Sequence, residues 1–123
     1  MVIGIGMDLV EVERLEAALE RTPNLMGRLF TEGEQAYAAT RARPVQHLAA
    51  RFCAKEAVTK ALRLPVFHGL EIEVVGGGTS DVTVRLHGEA AAALEARSGV
   101  VHLSLTHTHG TAAAMVVVEG TAR

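Results

Sequence analysis

"PVQHLAARFCAKEAVTKALRL", residues 44 to 64, is the longest helical pattern in the chain and carries its densest charge. Pro44 suits a first helical position, where its missing N–H costs nothing, and Pro65 closes the run. At about 100° per residue, Ala50, Cys53, Ala54, Ala57, Val58 and Ala61 share one broad face. Side chains this small let the helix axis lie close to a sheet or to another helix. Arg51 and Lys55 stand one turn apart on the opposite side, as do Glu56 and Lys60, with Leu48 and Phe52 between the two pairs. Two readings fit. Glu56 and Lys60 can be an i,i+4 pair worth a few tenths of a kcal/mol on a solvated face, beside two solubilising cations. Alternatively, Phe52 walls a cleft whose cations hold a polyanion and whose Glu56 binds a hard divalent cation, which would need a second oxygen ligand.

Upstream, "VIGIGM" (2–7) reads as a buried first strand whose glycines mark a close backbone approach. Asp8 then precedes "LVEVERLEAALERT", where Leu9, Val12, Leu15 and Leu19 recur at helical spacing. Asp8 with Glu11 fits a capping box, and Asp8 is equally the candidate second carboxylate. "TEGEQAYAATRA" repeats the helix-start signal, with Thr31 as N-cap and Glu34 as its reciprocal partner.

Downstream, "GLEIEVV" and "DVTVRLH" alternate apolar and polar residues around "GGGTS", a hairpin with a glycine-rich turn. "GEAAAALEARSG" is a short helix, and "VVHLSLTHT" and "TAAAMVVVE" are two strands joined at His109–Gly110. The order β-α-α-α-β-β-α-β-β predicts an α+β fold with a largely antiparallel sheet and one long central helix. Alternation on "SLTHTHG" puts Ser104, Thr106 and Thr108 on one side and His107 and His109 on the other. His102 falls on the wrong face to join those histidines around zinc, so a phosphate contact is the better reading there. "GIGMDL" lacks the third glycine of a dinucleotide fingerprint.

The 123 residues are expected to form one domain, 1–123. Hydrophobic residues make up 49%, but aromatics only 3% and Trp is absent, so the core must be built from Ala, Val and Leu. A core that small predicts modest stability unless chains associate. A net charge of −2 argues against a nucleic-acid partner. One cysteine, no signal-peptide pattern and no run of roughly 18 apolar residues predict a cytoplasmic protein without a membrane span.

Three separated motifs, "GIGMDLVEVERL", "RFCAKEAVTKAL" and "LSLTHTHGTAAAMVVV", resemble in order and spacing the holo-acyl-carrier-protein synthases, the small bacterial 4′-phosphopantetheinyl transferases of fatty-acid synthesis. The resemblance runs from near residue 1 to near residue 119. It implies that phosphopantetheine moves from coenzyme A to a serine of an apo acyl carrier protein, releasing 3′,5′-ADP. It implies a magnesium ion (manganese as a substitute) held by Asp8 and Glu56, and a homotrimer with active sites between subunits. Coenzyme A would meet Arg51, Lys55, Lys60 and His107, with Lys60 supporting the departing phosphate. Glu56, directly or through a metal-ordered water, would take the serine proton. An acidic carrier protein would dock on Arg14, with Arg21 extending the basic patch and Leu25 or Met26 adding apolar contact. Family members often carry a proline in the hairpin turn where this chain has "GGGTSD", so no residue is assigned to the adenine. The competing reading is a non-catalytic adaptor for acidic carrier-type domains, which would have no need of an intact Asp8, Glu56 and Lys60. An unrelated nucleotide-binding module would explain the cations but not the Arg14 helix.

Overall fold

The computed structural model describes residues 1–121. In chain order the elements are β1 (Val2–Glu11), α1 (Val12–Arg21), α2 (Leu25–Leu29), α3 (Glu32–Ala39), α4 (Pro44–Ala61), β2 (Ile72–Val75), β3 (Thr83–Leu86), α5 (Gly88–Ala96), β4 (Gly99–His107) and β5 (Thr111–Gly120), with a short 3-10 turn at Gly69–Glu71. β5 lies between β1 and β4 in a three-stranded antiparallel sheet, and β2 and β3 form a separate antiparallel hairpin. The α+β order expected from the sequence is the one found.

α4 lies across β1 and β5 and is the centre of the core. Its Ala49, Cys53, Ala54, Ala57, Val58 and Ala61 are all at most 1% exposed and meet Ala112, Ala114, Val116 and Val118 of β5. The glycines of β1 make this approach possible. A Cβ at Gly6 would land on the Ala57 carbonyl oxygen, and one at Gly4 on that of Ala61. The helix backbone therefore rests directly on the strand. Cys53 Sγ donates to the Ala112 carbonyl at 3.4 Å, tying α4 to β5.

One expectation is overturned at the N-terminus. β1 continues through Asp8 to Glu11, so Asp8 is a strand residue paired with Ala114 rather than a helix cap. α1 starts at Val12 behind Glu11, which makes no side-chain capping bond. The even positions Gly4, Gly6, Asp8 and Val10 face α4. The odd positions Ile5, Met7 and Leu9 are 64–69% exposed on the outer face of the sheet. The other capping box is present: Thr31 Oγ1 accepts from the Glu34 amide and Glu34 Oε1 accepts from the Thr31 amide. The hairpin turn is also as expected, with Gly76, Gly77 and Gly78 all at positive φ.

Candidate active site

The strand position of Asp8 aims its carboxylate at α4, and there it meets a residue from each of two helix turns. Lys60 Nζ donates to Asp8 Oδ1 at 3.3 Å and to the Met7 carbonyl at 2.9 Å. Glu56, one turn earlier, has its pKa raised, first by partial burial and then by the Asp8 charge, with Lys60 pulling it back. Beneath them the Cys53 thiol is held up at about 12, by burial first and then by Asp8 and Glu56. Two carboxylates, the Asp8 charge opposing ionisation of Glu56, beside one exposed ammonium make a site able to hold a cation and to move a proton.

A second charged group lies on another flank of α4. Arg51 precedes Glu56 by five positions, about 140° around the helix. Its guanidinium is buried, 3% exposed, stacked 4.1 Å from the centre of the Tyr37 ring, and its Nη2 donates to the Gly76 carbonyl at 2.6 Å. His107, exposed at the end of β4, meets His47 edge-on at 5.1 Å, and His47 in turn meets Tyr37 at 5.8 Å. Burial, followed by His107, Arg41 and Arg51, lowers the His47 pKa, which favours its neutral form. Asp8 and His107 both face α4, but from the two edge strands with β5 between them, roughly 10 Å across the sheet. A single chain thus divides the charged residues into two groups with the helix between.

Lys55 belongs to neither group, which corrects its assignment to coenzyme A. It is fully buried, and its ammonium donates to Glu34 Oε1 at 2.7 Å, the Gly69 carbonyl at 2.6 Å and the Ile72 carbonyl at 2.7 Å. An ammonium has three donors, and all three are taken. Glu34 Oε2 accepts the Val74 amide at 2.7 Å, so the pair pins α3, α4 and β2 together. Arg51 was expected on a surface or cleft and is instead almost wholly enclosed, because Tyr37 covers it. Phe52 is half-buried against Phe67, 5.8 Å between ring centres. Arg14 and Arg21 are exposed on α1, seven residues apart and so on one face. Among the described residues no three of His, Cys, Asp and Glu cluster as metal ligands.

The family model for the 4′-phosphopantetheinyl transferase superfamily matches residues 4–114, from the glycine strand to the middle of β5. The chain belongs to the 4′-phosphopantetheinyl transferase superfamily. Among curated phosphopantetheinyl transferases, the holo-[acyl-carrier-protein] synthase of Frankia casuarinae is 50% identical, covering 96% of this chain and 98% of its own length. A holo-(acyl-carrier-protein) synthase from Bacillus anthracis, solved in complex with CoA (3′,5′-ADP), is 31% identical with a TM-score of 0.77 over 98% of this chain and 99% of that one. The Chronobacterium ammoniagenes ACPS–CoA complex is 28% identical with a TM-score of 0.85, covering 97% and 98%.

In this transferase the sequence motifs and the two charged groups coincide, since Asp8 comes from the first motif, Glu56 and Lys60 from the second, and His107 from the third. Tyr37, Arg41 and His47 were missed by reading the sequence. The signal available for the first two was their i,i+4 spacing at the end of α3 and the fact that Tyr37 is the chain's single tyrosine.

Proposed function

We propose that this transferase moves 4′-phosphopantetheine from coenzyme A to a serine hydroxyl of an apo acyl carrier protein in the cytoplasm, with magnesium (or manganese) as the metal. The reading is carried by one observation, the meeting of Asp8, Glu56 and Lys60 across β1 and α4. The donor set fits the metal. Two carboxylates with no third His, Cys, Asp or Glu clustered with them among the described residues suit magnesium, which keeps several waters and takes its remaining oxygens from substrate phosphates. When bound, the ion would draw charge from the pyrophosphate of coenzyme A.

The serine oxygen forms a bond to the β-phosphorus as the bridging oxygen bond breaks, and adenosine 3′,5′-bisphosphate leaves. Glu56 would accept the serine proton, a role supported by its raised affinity for a proton, through burial first and then Asp8. Lys60 neutralises charge on the departing phosphate. Arg51 and His107 bind the rest of the coenzyme. Arg14 and Arg21 attract the acidic face of the carrier, with Leu25 and Met26 of the neighbouring α2 as apolar support.

The finer reading includes a homotrimer with each site between subunits. Two observations support it: the split of the charged residues to different flanks of α4, and the apolar outer face of the sheet. That face exposes Ile5 (69%), Met7 (64%), Leu9 (67%) and Met115 (49%), neighbouring apolar side chains suited to burial against another chain.

Incubation with apo carrier protein, coenzyme A and magnesium should raise the carrier's mass by one phosphopantetheine arm, and chelation should abolish the gain. Glu56→Gln should lower kcat by about 100-fold or more. Near-normal transfer by Glu56→Gln at saturating magnesium would refute its role.

A further inference from the structure

The turn between β4 and β5 is closed by its two threonines. The Thr108 amide donates to the Thr111 carbonyl at 2.8 Å, and the Thr111 amide donates to Thr108 Oγ1 at 3.2 Å. The residues between them are exposed, and a Cβ at Gly110 would meet nothing within 4 Å. The three successive carbonyls of this turn point away from it, toward the starts of two helices. Gln46 Nε2 donates to the carbonyls of Thr108 and His109, each at 3.2 Å. The Val12 amide donates to the Gly110 carbonyl at 2.9 Å. Val12 opens α1 and Gln46 is the third residue of α4, so the carbonyl dipoles face the positive ends of both helices.

The residue type at position 46 fits this task. A primary amide nitrogen carries two donors, and two adjacent carbonyls use both. Arg43, the residue before α4, adds a second strap, its Nη1 lying 2.8 Å from His109 Nε2. What the straps hold is His107. It ends β4, an edge strand, and stands one residue before Thr108. Its exposed ring meets the His47 ring edge-on at 5.1 Å, and His47 directly follows Gln46. Two consecutive residues of α4 therefore fix the backbone beside His107 and the ring itself. An edge-strand end released from such contacts frays, and its last side chain samples many positions.

We propose that Gln46 is a positioning residue for coenzyme A, fastening the Thr108 and His109 carbonyls to α4 so that His107 is held where the coenzyme meets it. The inference rests on the coenzyme A reading and adds to it a residue that acts through His107.

Gln46→Met keeps the length of the side chain and removes both donors. Its affinity for coenzyme A, read by calorimetry without carrier protein, should weaken about 5-fold, close to 1 kcal/mol. In the transfer assay the KM for coenzyme A should rise by the same factor, with kcat and the carrier KM within about 2-fold. Tm should stay within about 5 °C of wild type. His107→Ala should also weaken coenzyme A binding, and adding Gln46→Met to it should change nothing more. The imidazole NMR signals of His107 should shift and broaden in Gln46→Met. Gly110→Ala, whose methyl points into open space, should leave signals and affinity unchanged. Equal coenzyme A affinity in wild type and Gln46→Met, or a loss that simply adds to that of His107→Ala, would overturn the positioning role. A wild type that binds coenzyme A in a Gln46-dependent way but transfers nothing would sink the transfer reading and keep the positioning. Failure of the wild type to bind coenzyme A would sink both.

Discussion

Replacing Lys55 with methionine separates a structural ammonium from a ligand-binding one. The side chain is fully buried with Glu34, and its three donors go to Glu34, Gly69 and Ile72 within 2.7 Å. Methionine fills most of the stem's volume, so the perturbation is chiefly the loss of the charge. It leaves the Glu34 carboxylate with only the Thr31 and Val74 amides and leaves two carbonyls without that donor. Breaking a buried pair from one side costs about 3–5 kcal/mol. For a chain of this length each kcal/mol moves Tm by roughly 3–6 °C, so a fall of roughly 10–25 °C is expected in a calorimetric melt. Adding Glu34→Gln should recover part of that loss, with a coupling of about 2 kcal/mol in the double-mutant cycle. At a temperature where Lys55→Met is still folded, its KM for coenzyme A should lie within about 2-fold of wild type. A wild-type melt combined with a strongly raised coenzyme A KM would refute the structural assignment and return Lys55 to the ligand.

Gly6→Ala should prevent normal packing of α4 on β1, seen as loss of the cooperative melt, because the new methyl falls on the Ala57 carbonyl. Gly27→Ala in α2, which meets nothing within 4 Å, is its neutral control. Met7→Glu, on the exposed outer face of β1, should shift the hydrodynamic mass from three times 13.0 kDa to a single chain and abolish transfer. A full-size, fully active Met7→Glu protein would count against the trimer. Arg14→Ala should raise the KM for carrier protein about 5-fold and leave that for coenzyme A unchanged, an effect that shrinks as salt screens the encounter.

What the sequence made legible is mostly what is local and periodic. The small-residue face of α4 is the buried face, the glycines of "GIG" are the points of closest backbone approach, and Thr31 and Glu34 do form a capping box. The failures come where two periodicities coincide or where a partner is distant. Leu9, Val12 and Leu15 fit a helical stripe, yet Ile5, Met7 and Leu9 also alternate as a strand. Pairing with β5 decides the matter as far as Glu11. Nothing local indicates that the odd side of that strand is left uncovered. Lys55 was misread because its counter-ion lies 21 positions earlier and its other acceptors are backbone carbonyls of a loop. The burial of Arg51 was not legible because the residue that encloses it, Tyr37, has no periodic tie to α4.

These misreadings share a cause that bears on mechanism. α4 carries cations toward two different surroundings, and helix geometry alone ranks Arg51, Lys55 and Lys60 as equivalents. The structure ranks them by what remains unsatisfied. Lys55 is saturated, Lys60 is half-exposed with one carboxylate and one carbonyl, and Arg51 is buried with two idle nitrogens. Only the last two have donors to offer a ligand, and they face away from each other around the helix. On the proposed assembly, the group that would hold the metal and the group that would bind the rest of the coenzyme at one site come from different subunits. The strand that supplies Asp8 also exposes Met7 and Leu9, so the surface proposed to join subunits and the carboxylate proposed to meet the metal alternate along the same few residues. Association and catalysis would then stand or fall together: a substitution that frees the outer face of β1 would remove the partner's coenzyme-binding group from an Asp8–Glu56–Lys60 cluster that is itself chemically intact.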